Sequence, residues 1–579
     1  MKFLSQKNNL IIFCFLALIV FLVFGNALFN DFVYDDGYLI IENKFIKSFS
    51  SIKEILFSDV TITSPLNQAS GYYRPVSMIF LMLVYKIWGL NPFGWHLMSV
   101  LLHLANTFLV FLLLTRISQN RNIAFLASVA FAVHPIHVEA VAPVYNSMGL
   151  LASFFSLASF LAFLKSDGFQ KKHYMFLSMG LLLLGLFAKE EAVVLPVIFA
   201  VYDYYFIARF SRPNFFSRWQ GHAGFVAATL FYIFMRTLVI EKGAALGLWD
   251  LQLTFNITPA ANLFWHSLTV IKIFYYYILM LVFPFHLSAF HVIPATSSLS
   301  DVVTIFSIVV VFELIICALY VRRRQPLFSF FTLLFFISTS PVSNIIPIGG
   351  IFAERFMYFP SIAYCFLFAL VTEGLYRKFK GTQEQTKRNM VMLIASAIVL
   401  LSAFKSAERN YVWRNNLVLW RDTVEKSPSS VVARLNLADT YFNKKLYKEA
   451  LGQYQVALSL SNFKEFQVHN SIGKIYGLQE EYDLALREFQ RTVALDNDFA
   501  EGYYNLGITY FYKNDMHSAA ENFSRARDLD PEYPWSYYGL GLVLEQKREW
   551  VLAKEMYRKT LDLDPGHELA RQAWENLFP

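Results

Sequence analysis

Residues 507 to 531 read GITYFYKNDMHSAAENFSRARDLDP. A small residue, Gly507, opens the stretch, Ala519 and the aromatic Phe523 follow, and Asp530-Pro531 closes it. The same marks recur on both sides. Ala438, Gly473, Gly507 and Gly541 are spaced 35, 34 and 34 apart, and Ala450, Ala485, Ala519 and Ala553 keep those intervals. Tyr454, Phe489, Phe523 and Tyr557 form an aromatic column in the same register. Three columns with one period describe a helix pair stacked on copies of itself. The small positions let two antiparallel helices approach, and the aromatics fill the space between neighbouring repeats. A proline stops the second helix because it lacks the amide proton and crowds the preceding turn.

This is the tetratricopeptide (TPR) pattern, and it predicts four repeats over 429–579, with His567 to Leu577 as a capping helix. Upstream, Asn416, Trp420, Thr423 and Pro428 stand where the second helix of a repeat puts its small, aromatic, small and terminating residues. Residues 409–428 therefore read as a connector and half repeat. Arg409-Asn410-Tyr411 joins them to an apolar run, so the array is expected close to a membrane surface. By itself such an array is a concave protein-binding surface with no chemistry of its own.

The first 408 residues have a different composition. Across the 579-residue chain 56% of residues are hydrophobic, with 59 Phe and 32 Tyr, and only 16% are charged. That is more apolar surface than a soluble fold of this length hides. Apolar runs of spanning length lie near 10–29, 96–115, 122–140, 145–164, 174–188, 191–207, 221–240, 302–321, 327–345, 356–375 and 389–407, about eleven in all. With Lys2 and Lys7 inside, alternate loops carry Arg116 and Arg121, then Lys165, Lys171 and Lys172, then Arg209, Arg212 and Arg218. Arg322 to Arg324 follow, and last Arg377, Lys378, Lys380, Lys387 and Arg388. Every strongly basic short loop falls on one side, as the positive-inside rule requires. The net charge of +7 is thus a topology signal and not a nucleic-acid footprint. Cys14, Cys317 and Cys365 all fall in apolar runs, which excludes a disulfide framework.

Three further stretches are expected to lie in the membrane interface. Pro75 to Trp88 is about 14 residues, roughly 21 Å as a helix and too short to cross. Leu263 to Phe283, ending before Pro284, is expected to be re-entrant or interfacial, because a crossing there would put Arg322 to Arg324 outside. Phe45, Phe49, Ile52 and Leu56 form the stripe of a helix lying flat on the surface. An odd number of spans sends the repeats to the side opposite the N-terminus, together with the 30–95 and 241–301 loops.

Polar residues at the span ends on that outer side are few. They are Asp35-Asp36 after the first span, Arg74 before Pro75, His134, His137 and Glu139 after the third, Lys189-Glu190 after the fifth, and Glu354-Arg355 before the tenth. Ionisable groups cost about 2.5–3.5 kcal/mol each near the bilayer centre, so such residues are paired or functional. Their chemistry fits transfer of a sugar from a polyprenyl phosphate to a hydroxyl. Arg74, Lys189, Arg355 and a protonated His134 or His137 suit the phosphate leaving group. Asp35 or Asp36 suits the proton of the attacking hydroxyl, with inversion at the anomeric carbon. The His134-x-x-His137 spacing puts two imidazoles on one helical face, but no third ligand is specified and no metal is expected. The bland alternative is that these are ordinary interfacial ion pairs, such as Lys189 with Glu139 or Glu190.

The ordered set FVYDD at 32–36, Tyr73-Arg74-Pro75, FAVHPIHVEA at 131–140, Ala188-Lys189-Glu190 and AERFMYFP at 353–360, followed by TPRs, resembles the transmembrane-and-TPR-containing O-mannosyltransferases. More widely it is similar to the GT-C glycosyltransferases. The resemblance covers nearly the whole chain. It implies an all-α fold, with a polytopic GT-C-like membrane domain over 1–408 and a TPR α-solenoid behind it. It also implies an acidic catalytic residue in the first outer loop, with Asp35 as the base and Asp36 supporting it or binding donor or acceptor. Tyr145-Asn146-Ser147-Met148 replaces the Arg-Ala-Asp-like run of eukaryotic members, so the sugar and the acceptor stay open. The donor is expected to be a polyprenyl-phosphate sugar acting as co-substrate, mannose or another hexose, with no further cofactor. The acceptor is a glycan or a protein hydroxyl, held by the TPR groove. The compact loops look like those of a bacterial inner-membrane member with periplasmic repeats; in a eukaryote the repeats would be lumenal in the endoplasmic reticulum. Two other readings remain: a membrane-anchored TPR scaffold without catalysis, and a transporter or polysaccharide polymerase built on similar spans.

Overall fold

The computed structural model describes residues 2–60, 71–240, 263–345, 352–379, 384–461 and 464–577. Two compact units emerge, Met1–Ser427 and Pro428–Pro579. Of the expected outer loop at 241–301, residues 241–262 lie outside the described residues, as does Lys380 of the last basic cluster.

Among its described residues the first unit is built of helices and loops, with no strand. Its main helices are α1 (Lys2–Phe24), α2 (Pro75–Trp88), α3 (Pro92–Ser118), α4 (Arg121–Val133), α5 (Ser147–Lys165), α6 (Lys172–Ala188) and α7 (Leu195–Tyr202). The series continues with α8 (Trp219–Ile240), α9 (Leu263–Val282), α10 (Val302–Val321), α11 (Pro326–Thr339), α12 (Ser361–Lys378), α13 (Gln385–Val412) and α14 (Asn416–Lys426). Capping follows the sequence. Prolines open α2, α3 and α11, where a missing amide proton costs nothing, and Asn91, Asn120 and Asp301 accept the first free amides of α3, α4 and α10.

Among the described residues seven helices are long and apolar enough to cross a membrane, and an eighth if α4 and Pro135–Val141, bent by 52°, form one span. This is fewer than the eleven apolar runs, for local reasons. α6 is a shorter apolar helix, and the expected 191–207 span is divided into a 3-10 turn (Glu190–Val194), α7 and a π-turn (Asp203–Ile207). α11 with its following turn is likewise short, and α12 carries Glu373, Arg377 and Lys378.

α9 is among the seven long enough to cross, where the sequence suggests a re-entrant or interfacial segment, and its polar contacts reach the segments around it. His266 bonds the Asn344 carbonyl at 2.9 Å, and Lys272 bonds Asp301 at 2.9 Å. Tyr277 accepts from the Ala353 amide at 3.3 Å, and the Leu281 carbonyl meets His134 at 3.0 Å. These partners follow α11, precede α10, precede α12 and follow α4. The Phe45 to Leu56 stripe is not one helix; it is built from two 3-10 turns (Phe45–Lys47 and Phe49–Ser51) and Ile52–Phe57.

The second unit is an array of antiparallel helix pairs: Val431–Asn443 with Tyr447–Leu460, Glu465–Leu478 with Tyr482–Leu495, Ala500–Tyr512 with Met516–Leu529, and Pro534–Gln546 with Trp550–Leu563. Glu568–Asn576 closes it. The glycine column and the aromatic column meet. A methyl group at Gly473 would lie 2.6 Å from the Phe489 ring, and one at Gly507 would lie 2.6 Å from that of Phe523. Phe523 also fills the space against Gly539 of the next repeat, so each aromatic sits between its own first helix and the following one. A polar ladder crosses two repeats, with Asn505 donating to Asn470 at 2.8 Å and Asn470 to Glu501 at 3.2 Å.

Candidate active site

The first unit holds a cavity of about 290 Å³ lined by Asp35, Tyr38, Tyr72, Arg74, Tyr145, Lys189, Glu190, Glu191 and Arg355, among others. Its three cations arrive from three different elements. Arg74 precedes Pro75 and is carried on the start of α2. Lys189 terminates α6 in an extended conformation, and the Ser77 hydroxyl donates at 2.8 Å to the carbonyl of Ala188, one of the acceptors that a helix end leaves free. That bond ties the Arg74 end of α2 to the Lys189 end of α6. Arg355 lies in the 3-10 turn Glu354–Met357 before α12.

Every cation in the cavity has an acidic partner. Arg74 engages Glu190 with two bonds, Nε to Oε2 at 2.9 Å and Nη2 to Oε1 at 2.5 Å, and lies over the Tyr72 ring at 4.3 Å. Lys189 meets Glu191 at 2.5 Å. Arg355 donates its amide to Glu139 Oε2 at 3.0 Å and its guanidinium to Oε1 of the same side chain, and it lies 5.9 Å from the Tyr145 ring. Among the described residues Asp35 forms no salt bridge; its partner is the Tyr38 hydroxyl. Burial pushes the Asp35 carboxyl up to about 6, against the pull of Arg355 and the hydrogen bond from Tyr38. Burial also works against charge at Glu190, but Arg74 outweighs it and holds that carboxyl at about 2.

Of the ten residues singled out from the sequence, Asp35, Arg74, Lys189, Glu190 and Arg355 line one cavity, although Asp35 and Arg355 are 320 residues apart. The other five do not line it. Asp36 is fully buried and points back into its own loop, accepting from the Val33 amide at 3.0 Å and the Tyr145 amide at 2.7 Å. It braces the turn that presents Asp35. His134 caps the following turn through Nδ1, at 3.2 Å from the Ile136 amide, and its Nε2 meets the Leu281 carbonyl. His137 lies between the Phe131 carbonyl at 2.8 Å and the Ser361 hydroxyl at 2.7 Å. Both rings are buried and occupied on both nitrogens, so the expected phosphate contact from either is not made. Glu139 stands behind Arg355. Glu354 faces away, accepting from the Ser288 amide at 2.5 Å, His291 at 3.1 Å and Arg409 at 3.2 Å. Lys189 pairs with Glu191 and not with Glu139 or Glu190; Glu191, at the edge of the 191–207 run, is the lining carboxylate that the sequence reading passed over.

The fold and cavity define a polytopic helical membrane protein bearing a TPR array. A family model described as a TPR repeat matches residues 473–514 and 509–547. A protein O-mannosyl-transferase of Caenorhabditis elegans is 28% identical over 466 residues, 78% of this chain and 63% of that one. The protein O-mannosyl-transferase TMTC3 of Mus musculus is 26% identical over 487 residues, 78% of this chain and 51% of its own. Among solved structures, YrrB, described as a TPR protein with an unusual peptide-binding site, is 26% identical over 30% of this chain and 87% of that one, at a TM-score of 0.24. The chain is a homologue of the transmembrane-and-TPR-containing O-mannosyltransferases, the family its motifs resemble. It spans between about half and two thirds of the length of these curated relatives.

Proposed function

We propose that this protein is an inverting GT-C-type glycosyltransferase that moves a hexose, mannose in the first instance, from a polyprenyl-phosphate carrier to a Ser or Thr hydroxyl of a protein on the non-cytoplasmic face. The observation that carries the reading is the grouping of Asp35 with Arg74, Lys189 and Arg355 in one cavity. In this reading the acceptor hydroxyl gives its proton to the Asp35 carboxylate as its oxygen bonds to the anomeric carbon. The bond from that carbon to the phosphate oxygen breaks, and its electron pair stays on the lipid phosphate. Arg74, Lys189 and Arg355 supply the N–H donors that hold the growing charge, in a low-dielectric pocket where such contacts are strongest. The raised Asp35 carboxyl is matched to its task, because a base works best with a pKa near the operating pH. The names of the relatives support a sugar donor and a protein acceptor. The TPR unit is assigned to selecting that acceptor.

The test is transfer from a mannosyl-phosphate polyprenol to a Ser/Thr-rich peptide by the purified, reconstituted protein, read by mass spectrometry. Asp35→Asn is expected to abolish added hexose at unchanged protein level. Transfer at the native rate by that variant removes Asp35 from the mechanism.

A further inference from the structure

The turn that presents Asp35 is strained. Tyr34, immediately before it, has φ +54°, in the left-handed region that a bulky residue rarely enters. Such a conformation persists only where its surroundings over-determine it. Here much of that surrounding comes from α14. The Tyr34 amide donates to the Asn416 side-chain oxygen at 2.8 Å, and the Tyr34 ring meets that of Trp420 edge to face at 5.1 Å. Tyr145 closes the other side of the ring at 5.7 Å. Three residues earlier the Asp31 amide donates to the Arg414 carbonyl at 2.9 Å.

The chain just before α14 reaches the turn that carries Arg355. Arg409, 2% exposed, donates to the fully buried Glu354 at 3.2 Å, and its guanidinium also faces Asp422 of α14 at 3.6 Å. Glu354 is the neighbour of Arg355 and opens the same 3-10 turn. The base of α14 is itself fixed. Asn410 donates to the Val23 carbonyl and to Asn26, both at 2.8 Å, and Asn26 donates to the Ala407 carbonyl at 2.7 Å, so the end of α13 is bolted to the end of α1.

We propose that α14 and Arg409 form the positioning strut of the site: Asn416 and Trp420 hold Tyr34 and through it Asp35, while Arg409 holds Glu354 and through it Arg355. This rests on the reading of Asp35 as base and Arg355 as phosphate-binding group. None of these strut residues lines the cavity, so each acts through another. The half repeat read from the sequence then has a task apart from the array it precedes: it sets the distance between base and leaving-group charge, on which transfer rates depend steeply.

The test uses the full chain in phospholipid vesicles, with a mannosyl-phosphate polyprenol and a Ser/Thr-rich peptide as probes. In Asn416→Ala and Trp420→Ala, kcat is expected to fall about fivefold or more while KM for the donor stays within about twofold, the signature of a contact that serves the transition state. Trp420→Phe, which keeps an aromatic edge against Tyr34, is expected to restore most of kcat. Amide exchange supplies a readout independent of activity: the 31–41 segment is expected to exchange faster in Asn416→Ala while 121–133 stays protected. Native kcat and native exchange in folded Asn416→Ala overturn the strut. So does a Trp420→Phe variant no better than Trp420→Ala. If Trp420→Ala fails to fold, Asn416→Ala carries the test alone. If exchange at 31–41 quickens but even the unmodified protein transfers no hexose, the strut stands and the transferase reading falls.

Discussion

Replacing Glu139 by Gln should lower stability and tighten donor binding at the same time. Glu139 is fully buried, and it accepts both the amide and the guanidinium of Arg355. Removing one partner of a buried ion pair costs about 3–5 kcal/mol, because the other charge is left in a poorly solvating place. Two features reduce that figure here. The Arg355 side chain is 22% exposed, so water reaches it, and Gln keeps one oxygen for the Arg355 amide. What is lost is the charge-assisted part of the contact, about 1.5–3 kcal/mol. The same change leaves the Arg355 guanidinium uncompensated beside the cavity. The Glu139 charge removed lies one guanidinium beyond a phosphate that Arg355 holds, about 8 Å away, and at an effective dielectric near 20 its loss is worth about 2 kcal/mol, or about thirtyfold in affinity. Denaturation in micelles and donor titration measure the two effects separately. If KM for the donor rises along with the loss of stability, Arg355 does not face the phosphate, and the electrostatic part of the mechanism is wrong.

The acid limb of the rate against pH should have its midpoint near 6, the value to which burial raises Asp35; a base acts deprotonated, so the rate falls as pH drops through that value and levels off above it. A flat profile between pH 5 and 8 would assign proton removal elsewhere. Asp36→Ala should act on folding and not on donor affinity, because it strips the buried Val33 and Tyr145 amides of their acceptor at about 1–3 kcal/mol each; normal stability with a raised donor KM would contradict this. The Arg74–Glu190 pair, whose glutamate is 37% exposed, should contribute no more than about 1 kcal/mol to stability in a double-mutant cycle, while Arg74→Met alone raises donor KM about tenfold or more. Gly507→Val should destabilise the repeats by about 1–3 kcal/mol, since a methyl group there already lies 2.6 Å from the Phe523 ring; unchanged amide exchange across 500–529 would refute that packing.

The repeats were legible because their information is local and periodic. Gly473, Gly507 and Gly541 stand at fixed intervals from the rings they touch, so spacing alone states the contact. The membrane unit was legible as a set of apolar runs, but not in how each run is broken. Nothing in the composition of 191–207 says that it divides into a 3-10 turn, a helix and a π-turn. The cavity was half legible. An ionisable residue at the end of an apolar run marks a place where charge is tolerated, and that brought Asp35, Arg74, Lys189, Glu190 and Arg355 forward together. It cannot say which way a side chain turns. His134 and His137 carry the same signal, but their ring nitrogens meet carbonyls and a hydroxyl of segments as far as 224 residues away, and no local pattern announces that. Asp36 differs from Asp35 only in facing two amides. The identity of the ion pairs was equally hidden, since Arg355 and Glu139 are 216 residues apart.

The pairing has a further consequence for how an anionic donor could enter. Three cations meet four carboxylates, Asp35, Glu139, Glu190 and Glu191, so in the proposed reaction the phosphate would meet a site already rich in negative charge and would have to take donors from acids that hold them. The pairs differ in how readily they yield. Glu190 and Glu191 have side chains 37% and 24% exposed, and either carboxylate, once displaced, is hydrated where it stands. Glu139 is 1% exposed and has nowhere to turn. In the proposed reaction Arg74 and Lys189 are therefore the cations that would change partner on carrier binding, while Arg355 would stay clamped by Glu139. A fixed charge held by a buried acid, with two exchangeable ones opposite, lets the phosphate be gripped progressively as its charge grows, without loosening the turn that orients the arginine.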